Sequence, residues 1–424
     1  MDYLVLSSSK LEVMMYRITD YPFVVKSYVD NFCDLFSQPQ LSHFAEYVTG
    51  LIVCERPNIK QINNSFVAHR QYSNKDRFMT EVSWPEEKVD LRRLELIKNY
   101  IGALNPAKGI LAIDDTILEK TGKHIDEVGK LYDHATQSYV LGHNLVTSQY
   151  VTPRGCFPIG FRLYLKRDKN DSAFKTKIQL AQELVEQAAS LDLRFSTVVF
   201  DAWFLAKDFV KFIESKNLNW VGAAKSNRII LCRGKQINIE EFHNTLNQTD
   251  YKTMEIDGET YWYFTKAVGM SKLGKVRLLI LHQKHDLSDT PKYLATNQLG
   301  WEARRILRVY KSRWSIETFY RDSKQNLGFE AYEMRNLGGI KRHWYLVFLS
   351  YTLLTLSSLD RSLRRWVNAN VRTIGEKCRW AATDIIRNFT LWVLKQNSLQ
   401  RSAQDILTLV FESKNSIGLR FQNV

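Results

Sequence analysis

Cysteine is scarce in this chain: Cys33, Cys54, Cys156, Cys232 and Cys378 are scattered over 424 residues, with no C-x-x-C pair and no histidine at zinc-finger spacing. That pattern excludes a disulfide framework and a zinc ribbon, and the five read as reduced, mostly buried thiols of an intracellular protein. Proline (8) and glycine (19) are few, and there is no low-complexity tract or internal repeat, which excludes collagen-like and disordered classes. The most apolar run, Trp344 to Leu359, falls short of the roughly 20 residues a membrane span needs and reads as a buried core helix. The opening stretch MDYLVLSSSKLEVMMYR lacks a basic segment followed by an apolar core, so no signal peptide is expected. The nine histidines are dispersed; His124, His134 and His143 lie close in sequence after Asp114 and read as structural or surface residues.

Acidic residues are in deficit, giving a net charge of +14. The deficit is uneven: residues 1–100 carry 12 Lys and Arg against 13 Asp and Glu, while residues 336–424 carry 13 against 5. A basic excess of this size favours a polyanionic partner, nucleic acid first and an anionic membrane surface second. The C-terminal segments RSLRRW and EKCRW interleave cations with tryptophan, a composition suited to phosphate contact plus stacking, or equally to a solvated helix face over a buried Trp.

At this length two or three domains are expected. Residues 1 to about 100 have apolar residues at helical spacing, and the stretch from Arg56 to Trp84 reads as two short helices carrying Arg56, Lys60, Arg70, Lys75 and Arg77. That pair is either a helix-turn-helix-like DNA reader or a small bundle. From Gly109 the texture is β: GILAID, NLVTSQYVT and CFPIGFRLYL are consecutive strands, followed by an amphipathic helix over SAFKTKIQLAQELVEQAASL (Ser172–Leu191), the strand STVVFD, a helix starting at Ala202 and the strand NWVGAAK. Strands in a meander, then strand and helix alternating, indicate a mixed sheet with helices packed on it. Between about 228 and 284 the pattern is again β-rich, with a turn at Asp257-Gly258, and one long helix is expected from Trp301 to Lys324. From Gly339 onward the chain reads as helical.

Two aspartates share a context, since Asp114 closes GILAID and Asp201 closes TVVFD. Carboxylates at strand ends of one sheet converge at its edge and suit hard divalent cations, although an aspartate there is more often a turn former or a helix cap. Asp115 follows Asp114 directly, and a strand turns successive side chains to opposite faces, so only one of the pair can serve the site. The parallel with Asp201 selects Asp114; Asp115 then orders a turn, with Thr116 and Glu119 at capping-box spacing for a following helix. A third acid lies in YKSRWSIETFYRDSK, where Tyr310, Arg313, Glu317 and Lys324 recur at offsets of 3, 4 and 7 and share one helix face. Such a stripe is a salt-bridge ladder with Arg321, or a metal-binding acid among groups that grip phosphates.

The spacing Y-x2-R-x3-E-x6-K over Tyr310, Arg313, Glu317 and Lys324 resembles the signature of the insertion-sequence-four superfamily of bacterial DDE transposases. The stretches IDDT, FDAWF and RWSIETFYRDSKQNLGFEAYEMRN look most like its insertion-sequence-seven-hundred-and-one branch, and similar texture covers roughly residues 105 to 345. The resemblance implies a multidomain α/β (α+β) protein. Its parts would be a helical region over 1–100 as a candidate DNA-end binder, an RNase H-like mixed-sheet core over 101–335 with a β-rich insertion at about 228–284, and a basic helical region over 336–424. The catalytic, metal-binding triad it implies is Asp114, Asp201 and Glu317 with two Mg²⁺ ions, Mn²⁺ being able to substitute.

Tyr310, Arg313, Trp314, Arg321 and Lys324 are the implied DNA contacts, Trp314 standing where relatives hold a flipped base in a hairpin intermediate. The insertion's Tyr261, Trp262 and Tyr263 are a candidate wedge, or cross-strand packing. The implied partners are double-stranded DNA, as terminal inverted repeats and target, and a second copy of the chain, with a cytoplasmic bacterial location and no membrane. The function so implied is cut-and-paste transposition; a nuclease on the same fold without strand transfer and a domesticated DNA-binding regulator are the competing readings.

Overall fold

Helices precede the first strand in the computed structural model, which describes residues 17–68, 71–102, 109–133, 136–166, 174–232, 234–359 and 371–412. They are α1 (Phe23–Val29), α2 (Gln38–Val53), α3 (Ile59–Ser65), α4 (Tyr72–Thr80) and α5 (Glu86–Ile101). The strands β1 (Ile110–Glu119), β2 (Gly129–Asp133), β3 (Ser138–Thr152) and β4 (Gly155–Tyr164) lead into α6 (Lys177–Ser190), β5 (Thr197–Phe200), α7 (Lys207–Ser215) and β6 (Asn219–Ala223). Then come β7 (Ile229–Cys232), β8 (Lys235–Asn238), α8 (Ile239–His243), β9 (Lys252–Ile256), β10 (Glu259–Met270), β11 (Gly274–His282) and β12 (Lys292–Thr296). The closing helices are α9 (Ala303–Lys311), α10 (Trp314–Asn326), α11 (Leu337–Leu356), α12 (Ile374–Ser398) and α13 (Ala403–Leu407).

The chain divides into two packed units, one of residues 1–100, 124–126 and 322–424, the other of residues 101–123 and 127–321. In the first, helices from both ends of the chain share a core. α11 carries the most apolar run, is buried on nearly every side, and packs on α2, α4 and α12. Two of its buried polar side chains are paired: Ser350 donates to the Leu346 carbonyl at 2.8 Å, and the His343 ring meets Tyr47 Oη at 2.9 Å and the Gly328 carbonyl at 2.8 Å. No helix among the described residues is long and apolar enough to cross a membrane. α3 and α4 pack on α2, and Lys75, one of the cations of the helix pair that reads as a DNA reader or a small bundle, is buried and paired with Glu46 at 2.9 Å. RSLRRW and His134 lie outside the described residues, while EKCRW sits in α12 with Lys377 buried. The cysteines are free, but only Cys378 is buried and Cys33 is exposed, which corrects the expectation of mostly buried thiols.

The second unit is built on one sheet of twelve strands among the described residues. Its heart has the order β4-β3-β1-β5-β6, with β3 antiparallel to β4 and β1, and β5 parallel to β1 and β6. This RNase H-like mixed sheet is the expected fold class. The insertion is no separate module, because β12 pairs antiparallel with β6 and the sheet continues through β11 and β10 to β7, β8 and β9. Its β9–β10 hairpin turns at Asp257 (φ 56°) and Gly258 (φ 80°), both left-handed as a two-residue turn requires.

The parallel strands are apolar on both faces, as burial under helices requires. Between these strands there is no spare room: a Cβ on Gly222 of β6 would sit 2.3 Å from the ring of its register partner Phe200 in β5. Gly222→Ala should therefore cost about 1–3 kcal/mol of stability, read as a lower urea midpoint with unchanged circular dichroism.

Candidate active site

β1 does not stop at Asp114. Its ladder with the long strand β3 continues for five further residues to Glu119, so Thr116 and Glu119 are paired strand residues and form no capping box. The strand alternation separates the two aspartates as expected. Asp114 stands opposite Thr147, whose hydroxyl meets Tyr320 Oη of α10 at 2.6 Å, so this face lies toward α10. Asp115 faces the other way, where its Oδ2 accepts from Lys177 Nζ of α6 at 2.7 Å and Asn144 Nδ2 at 2.8 Å. It anchors an ion pair within the sheet; it does not order a turn.

β5 runs parallel to β1 with Phe200 in register with Ile113, so Asp201 and Asp114 follow paired residues on neighbouring strands. Asp201 also performs the turn role: its Oδ1 accepts the backbone N–H of Trp203 at 2.9 Å and of Phe204 at 3.3 Å. That turn delays α7, which begins at Lys207 and not at Ala202.

The expected single helix from Trp301 is two helices. Between α9 and α10 the backbone tightens to i→i+3 bonds, Ser312 N–H to Val309 at 3.2 Å and Arg313 N–H to Tyr310 at 3.0 Å, while the Ser312 hydroxyl bonds back to Val309 at 2.6 Å. Arg313 occupies this tight turn and reaches inward. Its Nη1 donates to Asp114 Oδ2 at 2.9 Å and its Nη2 to Glu317 Oε1, so one guanidinium spans the first acid and the third. Its Nε is buried with no hydrogen-bond partner, and its plane lies 5.6 Å from the Tyr310 ring, itself buried.

The remaining candidates are dispersed along α10. Trp314 is 61% exposed, Arg321 is exposed, and Lys324 is paired with Glu330 at 2.7 Å. In the insertion, Tyr261 is buried and the Trp262 ring meets His285, in the loop after β11, edge-on at 5.5 Å.

Burial and the neighbouring charge of Asp201 push the Asp114 carboxyl up to about 7, against the opposing pull of Arg313. Asp201 is raised as well, chiefly by burial, with its two backbone N–H donors working against the shift. Raised carboxyls in a cluster mark a site short of positive charge. All three acids offer hard oxygen donors, the set that suits Mg²⁺ or Mn²⁺. Among the described residues, no three His, Cys, Asp or Glu side chains stand close enough together to hold one ion, and the Arg313 guanidinium lies between Asp114 and Glu317.

Sequence reasoning missed Lys177 and Asn144, which lie 62 and 29 residues from Asp115 and carry no motif. It also treated the histidines as dispersed, whereas His243 and His282 meet at 3.1 Å, with His282 Nδ1 3.1 Å from Asp289. His143 is buried in β3 and His124 is exposed.

A family model described as "DDE superfamily endonuclease" matches residues 31–237, and one described as "Archaeal putative transposase ISC1217" matches residues 158–366. The first match includes Asp114 and Asp201, the second Asp201 and Glu317. The chain is thus similar to DDE-type families of endonucleases and transposases. No curated protein matches it. Among solved structures, the NurA nuclease from Sulfolobus solfataricus aligns at 10% identity over 53% of this chain and 83% of that one, and its TM-score of 0.25 carries no argument.

Proposed function

We propose that the protein is a metal-dependent DDE transposase that binds the ends of a DNA element, cleaves phosphodiester bonds there and joins the 3′ ends to target DNA. The observation that carries this reading is the Arg313 guanidinium spanning Asp114 and Glu317, with Asp201 following the strand residue in register with Ile113, the residue before Asp114. The similarity to DDE-type families supports the same class of chemistry.

Asp114, Asp201 and Glu317 would hold the ions. Divalent ions held there, Mg²⁺ the first candidate, would supply charge stabilisation for the attacking and leaving oxygens of phosphoryl transfer. Arg313 donates to Asp114 and Glu317, and its forked guanidinium is a donor suited to a phosphate. Trp314, exposed beside it, offers an indole face to an unstacked base, which is the basis for a hairpin step. Tyr310 sets the plane of Arg313 from below, and Arg321 and Lys324 extend cationic contact along α10 toward the DNA backbone. Two ends must be brought together for joining, so the working form on DNA is a dimer.

The second reading, a nuclease without strand transfer, is favoured by the endonuclease family match. Pre-cleaved end DNA separates the two. Joining of labelled 3′ ends to a target plasmid with Mg²⁺ is expected; efficient cleavage of intact ends without any joining would favour the nuclease.

A further inference from the structure

The face of β1 turned away from the acids holds a second charged group. Lys177, the first residue of α6, sits with its ammonium 2.7 Å from Asp115 Oδ2 and 5.3 Å from the ring centres of both Tyr164 and Trp203. Its side chain is 18% exposed and that of Asp115 21%. A solvated surface pair is worth little. This one is largely enclosed, capped by two aromatic faces, and shares its carboxylate oxygen with Asn144 Nδ2 at 2.8 Å.

Each end of this contact leads to a candidate metal ligand. The backbone N–H of Asp115 donates to Asp114 Oδ1 at 2.9 Å, and the backbone N–H of Trp203 donates to Asp201 Oδ1 at 2.9 Å. One ammonium therefore ties the segment that carries Asp114 to the segment that carries Asp201. The second segment needs such a tie. Past Phe200 it leaves the β5 ladder, and no regular backbone pairing holds Ala202 or Trp203 before α7 begins.

We propose that Lys177 is a positioning residue: by holding Trp203 on one side and Asp115 on the other, it fixes the segments that carry Asp114 and Asp201 relative to each other, so that both carboxylates can serve one divalent cation. The proposal rests on the reading of the acids as a metal cluster. Residues behind metal ligands commonly contribute 10–100-fold to metal affinity without touching the ion.

The test is Mn²⁺ binding to the full-length protein without DNA, measured by electron paramagnetic resonance of the free ion, beside a urea unfolding curve for each variant. Lys177→Met should weaken Mn²⁺ binding about tenfold under conditions where its urea curve shows the protein still folded, and Lys177→Arg should recover most of the loss. Trp203→Leu should weaken binding in the same direction, and the double variant Lys177→Met/Trp203→Leu should lose less than the two losses combined, because both break one link. Wild-type affinity in Lys177→Met overturns the proposal. So does a Lys177→Met protein whose lost binding is explained by unfolding while Trp203→Leu binds normally. Asp114→Ala separates the underlying reading: if it retains wild-type Mn²⁺ affinity, the acids are not the metal site and the proposal falls with that reading. If it loses binding while Lys177→Met does not, only the positioning role is wrong.

Discussion

Asp114→Ala, Asp201→Ala and Glu317→Ala should each lower Mg²⁺-dependent cleavage of end DNA by about 10³-fold or more, whereas Asp115→Ala should lower it by only about tenfold. The contrast between adjacent aspartates is the informative part. Both are acidic, both sit in β1, and removing either changes the net charge equally. They differ in the face they occupy: Asp114 meets Arg313 and lies beside Asp201, while Asp115 is consumed by Lys177 and Asn144. A carboxylate that holds an ion contributes only while the ion is there, so its loss appears in the chemical step and in Mn²⁺ affinity together. Equal damage from Asp114→Ala and Asp115→Ala would show that strand integrity is being measured, and full activity in Glu317→Ala would remove the triad assignment.

In the metal-free protein, stability should fall as pH rises from about 4 to 7, by up to about 4 kcal/mol, and Asp114→Asn should abolish most of that slope. The ordinary value for the Asp114 carboxyl is 3.8, and burial beside Asp201 pushes it up to about 7 in the folded chain. Between those values the folded state holds a proton that the unfolded state has released. Stability linked to this group is therefore fully present below pH 3.8 and is lost as pH passes through 7. Asp201 is raised too and adds in the same direction. Above pH 7, Mn²⁺ should restore the unfolding midpoint in wild type, since an ion that binds only the folded state stabilises it by mass action. Urea titrations at pH 5, 6, 7 and 8 with and without Mn²⁺ give the result. A flat wild-type profile, or the same slope in Asp114→Asn, would contradict the raised carboxyl.

Local pattern carried much of the architecture. Apolar β-branched runs marked β1, β5 and β6, amphipathic spacing marked α6, and Asp-Gly marked the β9–β10 turn, because each depends on neighbours a few residues away. The missed boundaries have tertiary causes. β1 continues through Asp114 because β3 is long enough to pair with it as far as Glu119. The helix expected across Trp301–Lys324 divides at Ser312, where a hydroxyl bonds back to Val309 and the backbone tightens around Arg313.

By itself the sequence determined which residue types were available for chemistry: acids ending apolar strands, a Tyr-Arg-Glu-Lys stripe, and a basic chain with no cysteine cluster. Only the tertiary structure decided how they meet. Strand register, and no motif, brings Asp201 beside Asp114; the pleat of one strand sends Asp115 to Lys177; and a single tight turn aims Arg313 at two acids 203 residues apart in sequence. Periodicity acts over a few residues of backbone. Electrostatic pairing acts across space, and the partner that satisfies a buried charge can come from anywhere in the chain.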